Sequence, residues 1–271
     1  MEKKALFLDM DGTTLNDQRV VSEGNRRAIA RAIEAGHDIV IASGRAASSI
    51  VALLERCSLS GIGIRYVLAF NGAMIVDIVT GEVLYKKVMS TDYMKRIARE
   101  AQKMGIYMQT YEGEYVLTEH DDANLKQYTN KTTMEAKVVP DLATAIQEPA
   151  CKMLAIDLQY SGILEQLKAN VQAFSGDEID IYMSCREYLE FVPSGVSKGL
   201  ALQAFCKERG IKIENSIAAG DEGNDISMIH DVGIGCAVAN ALPDVKAVAD
   251  YVTENDNNHD AIREIIEKFM L

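Results

Sequence analysis

The sequence predicts an α/β fold, a doubly wound and mostly parallel sheet interrupted by an inserted α+β domain. Three observations predict it. Short, wholly apolar runs (Ala5-Leu6-Phe7-Leu8, Ile39-Val40-Ile41-Ala42 and Tyr66-Val67-Leu68-Ala69-Phe70) alternate with segments of helical periodicity, the rhythm of buried parallel strands joined by crossover helices. Each run stops at a polar turn. After Gly72 the pattern gives way to short alternating runs and resumes near Lys198, so one piece of chain interrupts another. At 271 residues there is material for two cores.

The elements follow in order. The first strand leads into Asp9-Met10-Asp11-Gly12-Thr13, and Ser22 caps a helix that carries Ala28, Ile29, Ala32 and Ile33 on one face and ends at Gly36. The second strand ends in Ser43-Gly44-Arg45, a helix spans residues 46–56, and the third strand ends in Asn71-Gly72. Residues 74–77 and 83–88 flank Thr80-Gly81 and read as paired strands. A helix over 91–104 puts Met94, Ile97, Ala98, Ala101 and Met104 on one face before Gly105. Strands at 106–111 and 115–118 enclose Glu112-Gly113-Glu114, followed by a polar helix over 121–131, a strand at 153–158, a helix over 161–174 and a strand at 179–184. The run at 188–192 and the helix from Lys198 lead back to the parallel pattern. Ile217-Ala218-Ala219 runs into Gly220-Asp221-Glu222-Gly223-Asn224-Asp225, and two further strand-helix units follow, one with Pro243 in its first turn. The expected division is a core of residues 1–83 and 188–271 with an inserted domain of 84–187.

Composition removes several classes of function. With 28 Lys+Arg against 40 Asp+Glu the net charge is −12, which repels nucleic acid and anionic membrane surfaces. A small-molecule partner is expected, with no nucleic acid and no membrane. Five cysteines without paired spacing argue against a disulfide framework, and Asp9 breaks the first apolar run too early for a signal peptide. A cytoplasmic protein is the expectation. The scattered histidines share no ligand spacing, and the Gly61-Ile62-Gly63 and Gly233-Ile234-Gly235 pairs do not complete a dinucleotide loop.

The polar turns carry the chemistry. In a doubly wound sheet Asp9/Asp11, Ser43-Gly44, Lys198 and Asp221 with Asn224 gather at one edge. Acids so crowded need a cation, and Asp9 with Asp221 offer the hard oxygens that Mg²⁺ takes. Ser43 and Gly44 can donate to phosphate oxygens, and Lys198 supplies a point charge. Asp9 is the candidate nucleophile, since a carboxylate attacking phosphorus splits one hard hydrolysis into two displacements. Asp11, two residues on, is the candidate general acid/base.

Taken together and in this order, the motifs Asp9-Met10-Asp11-Gly12-Thr13, Ser43-Gly44-Arg45, Lys198 and Gly220-Asp221-Glu222-Gly223-Asn224-Asp225 resemble the four motifs of the haloacid dehalogenase-like (HAD) superfamily. Asn71-Gly72 and the insertion of about a hundred residues resemble its Cof-type branch of sugar-phosphatase-like enzymes. The resemblance implies Mg²⁺ held by Asp9, the Asp11 carbonyl and Asp221, phosphate contacts from the Met10 amide, Ser43, Gly44, Lys198 and Asn224, and a cap that selects the substrate. The chain departs from the pattern at Thr14, Ala46 and Val238, and residues 258–261 lack the glycine common before the last helix. The expected function is Mg²⁺-dependent hydrolysis of a small phosphorylated metabolite, a sugar phosphate first, through an aspartyl phosphate. The alternatives are phosphotransfer or mutase chemistry and non-catalytic binding of a phosphometabolite.

Overall fold

The computed structural model describes residues 2–271; Met1, which opens the first expected range, lies outside them. The chain divides into two compact units, Met1–Tyr85 with Ser197–Leu271, and Lys86–Val196. The first unit begins with β1 (Ala5–Leu8), α1 (Glu23–Glu34), β2 (Asp38–Ala42), α2 (Ala47–Arg56), β3 (Tyr66–Ala69), β4 (Met74–Asp77) and β5 (Glu82–Lys86). The second holds α3 (Thr91–Met104), β6 (Tyr107–Glu112), β7 (Tyr115–Thr118), α4 (Ala123–Thr132), β8 (Glu135–Val138), α5 (Leu142–Ala145), β9 (Met153–Ile156), α6 (Ile163–Ser175), β10 (Ile179–Cys185) and β11 (Tyr188–Pro193). The first unit then resumes with α7 (Lys198–Arg209), β12 (Ser216–Gly220), α8 (Ile226–His230), β13 (Ile234–Ala237), α9 (Pro243–Val248), β14 (Tyr251–Val252) and α10 (Ala261–Phe269).

The sheet of the first unit has the order β14-β13-β12-β1-β2-β3-β4-β5. Its first six strands are parallel, and β4 runs antiparallel to β3. From β1 the chain winds outward through β2 and β3, and it later winds the other way from β12 through β13 to β14. The order therefore reverses between β1 and β12, and ligands of open α/β sheets bind at the carboxyl ends of strands at such a switch point. Register pairs Leu8 with Ala219, so Asp9 and Asp221 leave adjacent strands at the same edge.

Strands β1 and β12 are wholly buried, as parallel strands covered by helices on both faces must be. Phe7 of β1 meets Phe205 of α7 edge to face at 5.6 Å, and Tyr66 of β3 meets the same ring at 5.0 Å. Such pairs add about 1 kcal/mol each beyond their buried area. They fix α7, and with it Lys198, against the sheet. The predicted caps are present: the Ser22 hydroxyl accepts from the Asn25 amide, Gly105 closes α3 in the left-handed conformation, and Pro243 opens α9.

The second unit has a six-stranded sheet of order β10-β11-β9-β6-β7-β8, antiparallel except between β7 and β8. Helices α3, α5 and α6 bury Met94, Ile97, Leu142, Leu164 and Leu167 against Leu189 and Phe191. A buried ion pair joins Lys152 to Glu190 at 2.9 Å. Two expectations need correction. The run at 188–192, assigned to the core, is β11, paired with β10 and β9, so the core resumes at Ser197 and not at 188. Apolar alternation identifies a strand but not the sheet it joins. Strand β8 and helix α5 lie outside the expected elements: Glu135-Ala136-Lys137-Val138 is an edge strand with no buried residue and so has no apolar face to reveal it, and α5 is a single turn of four residues. Among the described residues no helix is long and apolar enough to cross a membrane, and all five cysteines are free.

Candidate active site

The turn after β1 is held from within. The Asp9 amide donates to the Ala219 carbonyl at 3.0 Å, extending the ladder by one residue, and the Met10 carbonyl accepts from the amides of Thr13, Thr14 and Leu15. Thr14, where the family resemblance expects an aliphatic residue, is fully buried and donates its hydroxyl to the Asp9 carbonyl at 2.6 Å. Gly12 has φ of +85°, and a Cβ there would collide with the Asp221 carboxylate. Only glycine lets this backbone pass so close.

Lys198, the first residue of α7, is 0% exposed, and its ammonium donates to Asp9 Oδ1 and to Asp225 Oδ1, each at 2.6 Å. Asp225 accepts on its other oxygen from the amides of Asp221 and Glu222, both at 3.0 Å. It thus fixes both the lysine and the loop that carries Asp221, rather than capping α8 with its side chain. Thr13 donates its hydroxyl to Asp221 Oδ1 at 2.6 Å. Asp9, Asp221 and Asp225 each present a carboxylate oxygen within 4.8 Å of the others.

Burial sets the electrostatics. It pushes Asp9 well above the usual carboxylate range, against the pull of Lys198 and with the push of Asp225. It raises Asp221 to about 6, against the Thr13 hydrogen bond and with Asp225 adding to the rise. Lys198 is raised too, but against burial: burial alone would lower it, and Asp225 and Asp9 together outweigh that, so it stays an ammonium. Both oxygens of Asp225 are engaged, as are one oxygen of Asp9 and one of Asp221. Two hard carboxylates whose negative charge burial disfavours fit a small divalent cation completed by water, which is the Mg²⁺ pattern. A cation there would reverse the upward push on both acids.

This arrangement has a measurable consequence in the metal-free protein. Asp221 titrates near 4 when unfolded and near 6 when folded. Its contribution to stability is therefore complete below pH 4 and is lost as pH rises through 6, about 3 kcal/mol in all. Urea denaturation of the metal-free wild type against Asp221→Asn from pH 4 to 8 reads that difference. Mg²⁺ should raise the melting temperature more at pH 7 than at pH 5, where it competes with protons.

The remaining candidates form a second group. The Ser43 amide donates to the Leu68 carbonyl, and the Asn71 amide donates to the Ser43 carbonyl at 3.0 Å. The Asn224 side-chain amide donates to Asn71 Oδ1 at 3.1 Å, and a Cβ on Gly44 would lie 3.0 Å from that same oxygen. Asn71 is therefore the bridge between the Ser43-Gly44 turn and Asn224. In the sequence Asn71 stands only as part of the Asn71-Gly72 turn that resembles the Cof-type branch; in the structure it is a left-handed non-glycine, φ of +56°. Gly72, at φ +98°, passes against the Ser197 carbonyl and the Ala201 side chain of α7. Gly72→Ala should cost about 3 kcal/mol from backbone strain and overpacking, read by urea denaturation, and should lower activity by displacing Lys198.

Asp11 is about half exposed, and its carboxylate does not join the acidic cluster. It accepts from Arg45 Nε and Nη2, both at 2.9 Å, and from Arg19 Nη2 at 3.2 Å. Of the metal ligands expected from Asp11, the main-chain carbonyl remains the candidate. The C-terminal loops complete the rim: the Asn240 side-chain amide donates to the Gly12 carbonyl at 2.7 Å, and the Asn257 side-chain amide to the Leu15 carbonyl at 3.0 Å. Asp260, where the resemblance expects a glycine nearby, is itself left-handed, φ of +66°, and accepts from the Ser22 hydroxyl.

Comparison with known proteins agrees with this geometry. The family model of haloacid dehalogenase-like hydrolases matches residues 6–266. A crystal structure of a haloacid dehalogenase-like hydrolase from Bacteroides thetaiotaomicron superposes with a TM-score of 0.91 at 30% identity, covering 98% of this chain and 99% of that one. The structure of a HAD subclass IIB sugar phosphatase superposes with a TM-score of 0.82 at 25% identity, covering 98% of each chain. The 5-amino-6-(5-phospho-D-ribitylamino)uracil phosphatase YcsE of Bacillus subtilis is 28% identical over 274 residues, 99% of this chain and 96% of that protein. With an acidic cluster at a sheet switch point and a match across nearly its whole length, the chain belongs to the haloacid dehalogenase-like hydrolase family, among its phosphatases.

Proposed function

We propose that this protein is a Mg²⁺-dependent phosphatase of small phosphorylated metabolites, sugar phosphates first, working through an aspartyl phosphate on Asp9. The observation that carries the reading is the Asp9 carboxylate at the end of β1, buried and held at 2.6 Å by the ammonium of Lys198. One oxygen is fixed by the lysine, which orients the group and leaves the other to attack. A nucleophile anchored on a strand end keeps its geometry without reorganising during the reaction.

In the first step an Asp9 oxygen forms a bond to phosphorus as the bond from phosphorus to the ester oxygen breaks. The electron pair stays on the leaving oxygen, which takes a proton from Asp11. In the second step a water oxygen attacks the same phosphorus, gives a proton to the Asp11 carboxylate, and the bond to Asp9 breaks to release inorganic phosphate. Mg²⁺, held by Asp9, the Asp11 carbonyl and Asp221, neutralises phosphoryl charge when bound. Lys198 adds a fixed positive charge, while Ser43, the amides of Met10 and Gly44, and Asn224 orient the phosphoryl oxygens. The Asn71 bridge keeps the Ser43-Gly44 turn and Asn224 in one arrangement.

The sugar-phosphate class draws support from the subclass IIB structural relative, and the wider phosphometabolite class from the ribitylaminouracil phosphatase. The test is phosphate release from sugar phosphates, nucleotides, cofactor phosphates and an aryl phosphate, with Mg²⁺ and with chelator. Metal-dependent release ranked toward sugar phosphates is the expected result. Release that rises with a sugar acceptor, with the phosphoryl group recovered on that sugar, means transfer instead. Tight binding of an ester without turnover means a binding protein.

A further inference from the structure

We infer that Arg45 is a positioning residue for the acid/base carboxylate of Asp11, an inference that rests on the phosphatase reading above. Arg45 engages Asp11 fork to fork, through Nε to Oδ2 and Nη2 to Oδ1, both at 2.9 Å. Two parallel bonds of this kind fix the plane of a carboxylate as well as its distance. The two partners differ in freedom. Asp11 is about half exposed on the turn that Gly12 opens, whereas Arg45 is 9% exposed. The Arg45 backbone is anchored at both ends, its amide donating to Ser43 Oγ at 3.3 Å and its carbonyl accepting from the Phe70 amide at 2.9 Å. A third bond runs from Nη1 to Ser49 Oγ at 3.5 Å.

A buried, anchored guanidinium thus holds a half-exposed carboxylate. The fork fixes the plane and the place of the carboxylate that exchanges a proton in both steps of the proposed reaction. Arg19, 40% exposed by its side chain, makes one contact at 3.2 Å. An exposed pair of that kind contributes little, so the placing of Asp11 falls to Arg45. The Nε–Nη2 edge of the guanidinium is thus taken up by Asp11.

The test is a double-mutant cycle on 4-nitrophenyl phosphate with Mg²⁺, with inorganic phosphate as competitive inhibitor. Arg45→Ala should lower kcat about 100-fold, the effect of misplacing a reacting group by about 1 Å, with KM and the inhibition constant of phosphate changed less than about threefold. The Arg45→Ala/Asp11→Asn double variant should be no slower than Asp11→Asn alone, because residues that act as a unit are not additive. Arg45→Lys keeps the charge and the fold but loses the fork, and should still lose at least about tenfold in kcat. The inference is overturned if phosphate inhibition weakens tenfold and the two losses multiply, which makes Arg45 a phosphate ligand, or if kcat is unchanged in both Arg45 variants. A wild-type enzyme that releases no phosphate overturns the phosphatase reading together with the inference; an active wild type with additive losses overturns the inference alone.

Discussion

Asp9→Asn should lower kcat by at least ~10⁴-fold on every ester that the wild type hydrolyses, the scale of loss seen when a covalent nucleophile is removed. It should not lower the melting temperature of the metal-free protein. Asparagine keeps the shape of the side chain, and its Oδ1 can still accept from the Lys198 ammonium. The change also takes one negative charge out of a cluster with Asp221 and Asp225, while Lys198 keeps its bond to Asp225. Calorimetry on the same preparation used for kinetics separates loss of chemistry from loss of fold. A variant that loses activity and melts well below the wild type would show that Asp9 serves the fold first.

Lys198→Met should damage both. The lysine stem is wholly buried, and methionine fills most of its volume but leaves Asp9 and Asp225 without the ammonium that each meets at 2.6 Å. Breaking a buried ion pair by removing one partner costs about 3–5 kcal/mol, because the remaining charge stays in a poor solvent. Chemical denaturation near pH 7 without metal should show a loss of that size, smaller at pH 4, where protonation relieves Asp9. Activity should fall at least ~10³-fold, since a preorganised positive charge next to the phosphoryl group is lost. Lys198→Arg keeps the charge, but a guanidinium is too wide for a hole closed to solvent, so it should rescue activity only in small part.

The residues whose role depends on where a strand ends were legible in the sequence. Asp9 and Asp221 follow wholly apolar runs, and a parallel sheet brings the carboxyl ends of such runs to one edge whatever their separation in the chain. Lys198 was legible by its place at the start of a helix that re-enters the core. What stayed hidden depends on pairings that no local pattern encodes. Arg45 and Asp11 are 34 residues apart, and Asn71 and Asn224 are 153 apart; each is a polar residue in a turn until the fold supplies its partner. Asp225 stands in the sequence just ahead of a helix, where an aspartate can cap it or steady the neighbouring site, and the fold decides for the site: its two oxygens face Lys198 and the Asp221 loop. Thr14 stands in the sequence only as a departure from the family pattern, and its hydroxyl ties down the Asp9 carbonyl. The misplaced boundary at 188 has the same origin, since Tyr188–Pro193, Glu190 aside, is as apolar as a core strand and only its pairing with β9 and β10 assigns it.

The most direct measurement of the central claim is capture of the phosphoenzyme. Protein mixed with a radiolabelled phosphate ester and Mg²⁺, quenched in acid within milliseconds, should carry acid-stable, hydroxylamine-sensitive label. Borohydride reduction should then convert position 9, and no other aspartate, to homoserine. Steady turnover with no label on the protein, or label on any residue other than Asp9, would contradict it.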